Sequence, residues 1–311
     1  MKKLYIICLS MLAQLVPLDA YIYHAVVMRK WYADLNRFHY FIGLGDFHHK
    51  QHPANQQHLD ELHQILANSE KGSLRILTED LSVANDQGRR GAQGFTINSR
   101  GGFLGGLTDT CRTYGIDTQN VEYRYARVCA LGPVLNNLNS DPFVFDSTRK
   151  LTVADLSDEI NTELCHIARF DDGPDLQAWY ASCARDVEHK MTAFDWPAHH
   201  KMNAAEYISR TKKARGPFLQ NLLTFDAGLL DVKIVHDIAQ HQHIERTCAI
   251  AGGSHIDRTS NALKKIGYTP VWHTQSSGSV VSAIDAGPEA YKAEYAIKPA
   301  PISLDVLKKF F

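Results

Sequence analysis

Two stretches of this 311-residue chain share one local grammar: Phe41-Ile42-Gly43-Leu44-Gly45-Asp46-Phe47-His48 and Cys248-Ala249-Ile250-Ala251-Gly252-Gly253-Ser254-His255. Each reads as a short apolar strand, then G-x-x-H, then a helix with a Leu-x-x-Ile pair (Leu62/Ile65 and Leu263/Ile266), then a second strand. The spacing predicts strands over 39–44 and 247–251, with the chain turning out of the first at Gly45. A glycine at a strand end permits a sharp turn and a close backbone approach. A histidine three residues later falls at the strand's carboxyl edge, where open α/β sheets place their sites. Two such units, packed about a pseudo-twofold, bring His48 and His255 together.

Working outward, Leu59, Leu62 and Leu66 mark a helix over about 54–67, and Leu74 to Thr78 a short apolar strand ending in Glu79 and Asp80. Glu79 therefore ends the strand taken to neighbour the first unit. Residues 82–106 hold seven glycines and read as a long loop of the kind that forms lids or binding loops. A helix through Leu104 and Tyr114, closed by Gly115, leads to a strand near 120–125.

The middle changes character. Thr152 with Asp155 three residues on forms a capping box for an apolar-faced helix, which Asp172-Gly173-Pro174 breaks. A second helix follows through Met191, and a long one runs from about Pro217 to Gln240. The expected fold is therefore α/β: a central parallel or mixed sheet flanked by helices, two related halves, and a helical insertion near 150–240. Residues 21–311 form one domain, since no Gly/Ser/Pro linker isolates the insertion.

At the N-terminus, Met1-Lys2-Lys3 and the apolar run Leu4 to Leu18 read as a secretory signal cleaved near Ala20. The run is too short to span a bilayer. A secreted, periplasmic or envelope location follows, with membrane or envelope association through this segment. Beyond residue 20 lie Cys111, Cys129, Cys165, Cys183 and Cys248. That odd, sparse set is no disulfide scaffold, although Cys165 and Cys183 could bridge neighbouring helices. The absence of C-x-x-C argues against a thiolate zinc site.

Net charge is −1, so no basic field exists to hold phosphates, and nucleic acid is excluded as the main partner. The substrate class left is a small molecule or a peptide. No G-x-G-x-x-G follows a strand and there is no P-loop. Ser254 lacks the final glycine of a nucleophile elbow. Sixteen histidines turn attention to imidazole chemistry. Two imidazoles and a carboxylate with one open position form a catalytic metal arrangement, here His48, Glu79 and His255. The donor set suits zinc, manganese or cobalt alike. Arg124, beside Glu122, could stabilise an oxyanion or simply pair with its neighbour. His199-His200 and His241-Gln242-His243 read as surface histidines, and Asp231 as part of a solvated helix face.

The run Gly43 to His48, with Gln56 to Leu62 and Ile76-Leu77-Thr78-Glu79, resembles the opening of the Tiki/TraB, erythromycin-esterase and ChaN-like superfamily. Ala249 to His255, with Leu263 and Gly267-Tyr268, is similar to its closing motif. Asp46 departs from the Glu usual in the esterase and ChaN-like branches. The resemblance covers about 40–80 and 225–275 and hardly touches the helical middle. It implies an α/β fold with His48, Glu79 and His255 in the site positions. Its branches imply a metal-dependent peptidase, an esterase that opens lactones, or a haem- or iron-binding protein without catalysis. For the last, His48, His49, His52 and His58 crowd one loop and helix start, and Tyr40, Phe47 and Tyr123 could line a slot for the macrocycle.

Overall fold

The computed structural model describes residues 20–48, 54–79, 95–97, 103–122, 145–147, 152–191, 197–204, 206–207, 218–275 and 300–311. Its elements run β1 (Ala20–Tyr32), β2 (Arg37–His48), α1 (Ala54–Ala67), β3 (Leu74–Thr78), β4 (Phe95–Ile97) and α2 (Phe103–Tyr114). Then come β5 (Asp117–Asn120), β6 (Phe145–Ser147), α3 (Val153–Ile167), α4 (Pro174–Met191) and α5 (Phe218–Gln240). Strand β7 (Arg246–Gly252), helix α6 (Gly253–Lys265), strand β8 (Thr269–Gln275) and a 3-10 turn at Asp305–Phe310 complete the chain.

The fold is α/β. Six strands form a mixed sheet in the order β5-β3-β7-β2-β1-β8. Strand β7 lies parallel to both β2 and β3, and β3 is parallel to β5, while β1 runs antiparallel to β2 and β8. Two units of related grammar are present, β2-α1-β3 and β7-α6-β8. They do not sit side by side. Strand β7 is inserted between β2 and β3, so Glu79 ends the strand beside the second unit, not the first. The two crossovers leave adjacent strands in opposite directions. Right-handed connections then place their helices on opposite faces, and the β2/β7 junction becomes a switch point.

Period-two burial supplies both faces with apolar side chains, as a doubly covered sheet requires. Phe41, Leu77, Ala249 and Ala251 pack with Leu156, Ile160, Leu176, Leu230, Ile256 and Leu263 from α3 to α6. Ile42, Leu44, Ile76 and Ile250 pack on the other face with Leu62, Leu66, Leu107, Leu304 and Leu307. The helical middle thus forms a layer against one face of the sheet. The Thr152–Asp155 capping box is present, Gly115 closes α2 at φ 69°, and Gly173 stands at φ 90° before α4.

Four expectations need correction. Strand β1 was not foreseen, although Tyr21, Ile22, Tyr23, Val27 and Met28 are all buried. Strand β2 does not turn out at Gly45 but continues to His48. The glycine-rich stretch carries the short strand β4, paired with β6, and α2 starts inside it at Phe103. Helix α6 begins at Gly253, so His255 lies in its first turn rather than in a loop ahead of it. The signal segment and Arg124 lie outside the described residues, apart from Ala20, which opens β1.

At the amino end of the sheet His39 is fully buried, with Tyr268 Oη 2.8 Å from Nδ1 and Thr247 Oγ1 3.2 Å from Nε2. Burial, helped by the charges of Arg37 and Lys30, pushes its imidazole down to about 4. The unfolded chain takes up this proton near pH 6.5 and the folded chain only near 4. The contribution of His39 is therefore complete above pH 6.5 and is lost as pH falls toward 4, by roughly 3 kcal/mol. In urea melts over that window, His39→Gln should lose stability less steeply than wild type. Parallel slopes would show that His39 does not carry the dependence.

Candidate functional site

The carboxyl edges of β3, β7 and β2 lie side by side, and each delivers one sequence-nominated residue. Register pairs Thr78 with Ile250 and Asp46 with Gly252. Glu79 follows the last residue of β3, His255 stands in the first turn after β7, and His48 is the last residue of β2. The backbone of His48 is paired with Ala20; its side chain lies outside the described residues.

Glu79 is bound to β7 twice. Its backbone N–H donates to the Ile250 carbonyl at 3.1 Å, and its Oε2 accepts from the Gly252 N–H at 2.9 Å. Gly252 is the N-cap of α6, so this carboxylate sits at the positive end of the helix dipole. Its other oxygen, Oε1, lies 3.8 Å from His255 Nε2, with side-chain exposures of 13% and 8%. The structure therefore brings Glu79 and His255 to one point. No group of three or more His, Cys, Asp or Glu side chains that could hold a metal occurs among the described residues.

Behind His255 stands a residue that sequence reading misplaced. Asp231, expected on a solvated face, is 1% exposed. Its Oδ1 accepts from His255 Nδ1 at 2.6 Å, and its Oδ2 accepts from Arg258 Nε. The sequence did carry a signal: Asp231 interrupts the run Leu229-Leu230-Asp231-Val232, where a buried charge needs a partner.

Strand β1 forms the neighbouring wall. His24 donates from Nδ1 to the Thr274 carbonyl at 3.1 Å, and its Nε2 lies 3.0 Å from Asp257 of α6. The start of α6 comes close because glycines leave room: a Cβ on Gly45 would stand 2.9 Å from the Gly253 Cα. A Cβ on Gly253 would overlap the Tyr23 hydroxyl.

Other nominated residues are committed elsewhere. His58 Nδ1 accepts from the Ile22 N–H at 2.9 Å and its Nε2–H donates to the Ile302 carbonyl at 2.8 Å. Both ring nitrogens are thus spent on tying β1 to the C-terminal segment, which removes His58 from a haem or metal role. His49, His52 and Tyr123 lie outside the described residues. Cys165 and Cys183 are free thiols, not a bridge. Burial pushes the Cys111 and Cys183 thiols up to about 11, which keeps both unreactive at neutral pH.

No family model matches this chain, and neither the curated proteins nor the solved structures give a match.

The crowding at Gly253 is testable. Gly253→Ala should destabilise by about 1–3 kcal/mol through overpacking. Tyr23→Phe, which removes the opposing oxygen, should cost less in that background than in wild type. A double-mutant cycle on denaturation midpoints measures the coupling. Strict additivity would place the added methyl against something other than Tyr23.

Proposed function

We propose that this chain is a hydrolase in which a water held between His255 and Glu79 attacks an ester or amide carbon. The observation that carries the reading is the 3.8 Å approach of His255 Nε2 to Glu79 Oε1 at the carboxyl edge, with both side chains largely buried. A water seated there has a base on one side and a carboxylate on the other, so its proton can leave as its oxygen attacks. The Glu79–Gly252 hydrogen bond fixes the carboxylate, which lowers the cost of organising the site during reaction.

The donor set also fits a divalent ion. The two atoms are closer together than twice an ordinary bond length of about 2.0–2.2 Å, so both can reach one centre. His255, Glu79 and His48 would hold zinc, manganese or cobalt, which would supply Lewis acidity and a more acidic bound water. Substrates are small esters or amides or short peptides, and the resemblance to the Tiki and erythromycin-esterase branches points the same way. The expected secretory signal places this activity outside the cytoplasm or in the envelope.

The test is turnover of a p-nitrophenyl ester series and a fluorogenic peptide library, by chelated protein and by protein supplied with Zn, Mn or Co. Expected is hydrolysis that falls about a hundredfold or more in Glu79→Gln and in His255→Gln. Activity that survives chelation assigns the metal-free route. Turnover unchanged in both variants, or absent under every condition, overturns the proposal. A Soret band on adding hemin, lost in His48→Ala, would replace it with the haem-binding reading.

A further inference from the structure

The two sides of His255 are unequal, and that inequality has a chemical consequence. On one side Nδ1 meets Asp231 Oδ1 at 2.6 Å, a contact buried on both partners. A carboxylate offers only lone pairs, so this short contact requires the hydrogen to sit on Nδ1. Arg258 Nη2, which can only donate, also lies 3.3 Å from Nδ1; the 2.6 Å contact to the carboxylate is much the shorter of the two and claims the ring hydrogen. The positive charge of Arg258 stands against the Asp231 carboxylate. His255 and Arg258 stand three residues apart on α6, on the same side of the helix, so one aspartate on α5 serves both.

On the other side, Nε2 and Glu79 Oε1 are 3.8 Å apart, beyond hydrogen-bond distance. In the Nδ1–H tautomer, Nε2 presents its lone pair toward Glu79 across that gap. A water or a cation between them would be held by both atoms. The opposite tautomer would place N–H against the carboxylate and draw the two together.

We infer that Asp231 is a positioning residue that holds His255 as the Nδ1–H tautomer, so that an unprotonated Nε2 faces Glu79. The inference rests on the hydrolase reading for its role in turnover, yet the tautomer itself is a property of the resting protein. It makes His255 an acceptor at Nε2, fit to take a proton or bind a cation, and unfit to donate a proton as a general acid in the first step. Arg258 is the counter-charge to Asp231 and has no direct part.

The experiment is long-range ¹H–¹⁵N correlation on histidine-labelled, chelator-treated full chain at alkaline pH, with the His255 signal assigned by its loss in His255→Gln. Wild type should show a pyrrole-type Nδ1 and a pyridine-type Nε2. Asp231→Asn, which can accept from or donate to the ring, should shift the population toward Nε2–H. Arg258→Gln should leave the Nδ1–H form dominant. On whichever ester wild type hydrolyses, Asp231→Asn should lower kcat about a hundredfold or more with KM changed far less. A wild-type signal from Nε2–H overturns the inference without any variant having to fold. An unchanged tautomer in a folded Asp231→Asn protein overturns it too. A wild type with the expected tautomer but no turnover on any probe overturns the hydrolase reading and leaves the positioning assignment standing.

Discussion

The parallel pairing of β2 with β7 is the constraint on which the rest depends. These strands are far apart in sequence, and their register, Asp46 opposite Gly252, sets two strand ends level with each other. Each crossover then departs in its own direction, which opens a crevice at the ends of the central strands. Glu79 reaches that crevice only because β3 pairs with β7 on its other side. Closeness of approach is a second condition of the same kind. The start of α6 can rest on β2 and β1 because Gly45 and Gly253 present no side chain at the crossing. Residues without side chains thus determine where the side chains that carry chemistry come to lie.

Helix α5 shows how a buried charge can specify geometry. Residues 229–235 are buried without exception, and an apolar helix of this kind has no intrinsic preference for the face it turns to the sheet. Two charges within the run break that degeneracy. Asp231 is satisfied by His255 and Arg258 of α6, and Lys233 by Glu163 of α3 at 3.2 Å. Rotating the helix would strand both charges in the core at a cost of several kcal/mol each. Arg75 plays a comparable part at the amino end of the sheet, where its guanidinium bridges Asp237 and Asp117. Such pairs add little net stability, but they exclude alternatives, and in α5 the excluded alternatives are those that would misplace His255.

Much of this was legible in the sequence wherever the relevant physics is local. The bounds of α1, the capping box of α3, the break at Gly173 and the strand–glycine–helix units follow from propensity and periodicity within a few residues. So did the meeting of Glu79 with His255, because strand ends in α/β sheets share an edge. What escaped was non-local. Strand order is set by which hydrophobic faces pair over long distances, so the insertion of β7 between β2 and β3 had no local signature. Asp231 was misread because helical periodicity alone treats any charge as outward-facing. Strand β1 was missed because its apolar, aromatic residues run on directly from a segment that reads as a leader.

That last omission bears on the site. Strand β1 lies inside the sheet, between β2 and β8, and antiparallel to both. Its first residues are committed at once: Ile22 donates its N–H to His58 and accepts from the Ile302 N–H at 3.0 Å, while Tyr23 lies under the start of α6. His24, next along, reaches Asp257 of the same helix. The residues immediately after the expected cleavage point therefore form one wall of the crevice and anchor the C-terminal segment to it. A cut after Ala20 keeps all of them, whereas trimming by even three residues removes the backbone partner of His58 and the hydroxyl beneath Gly253.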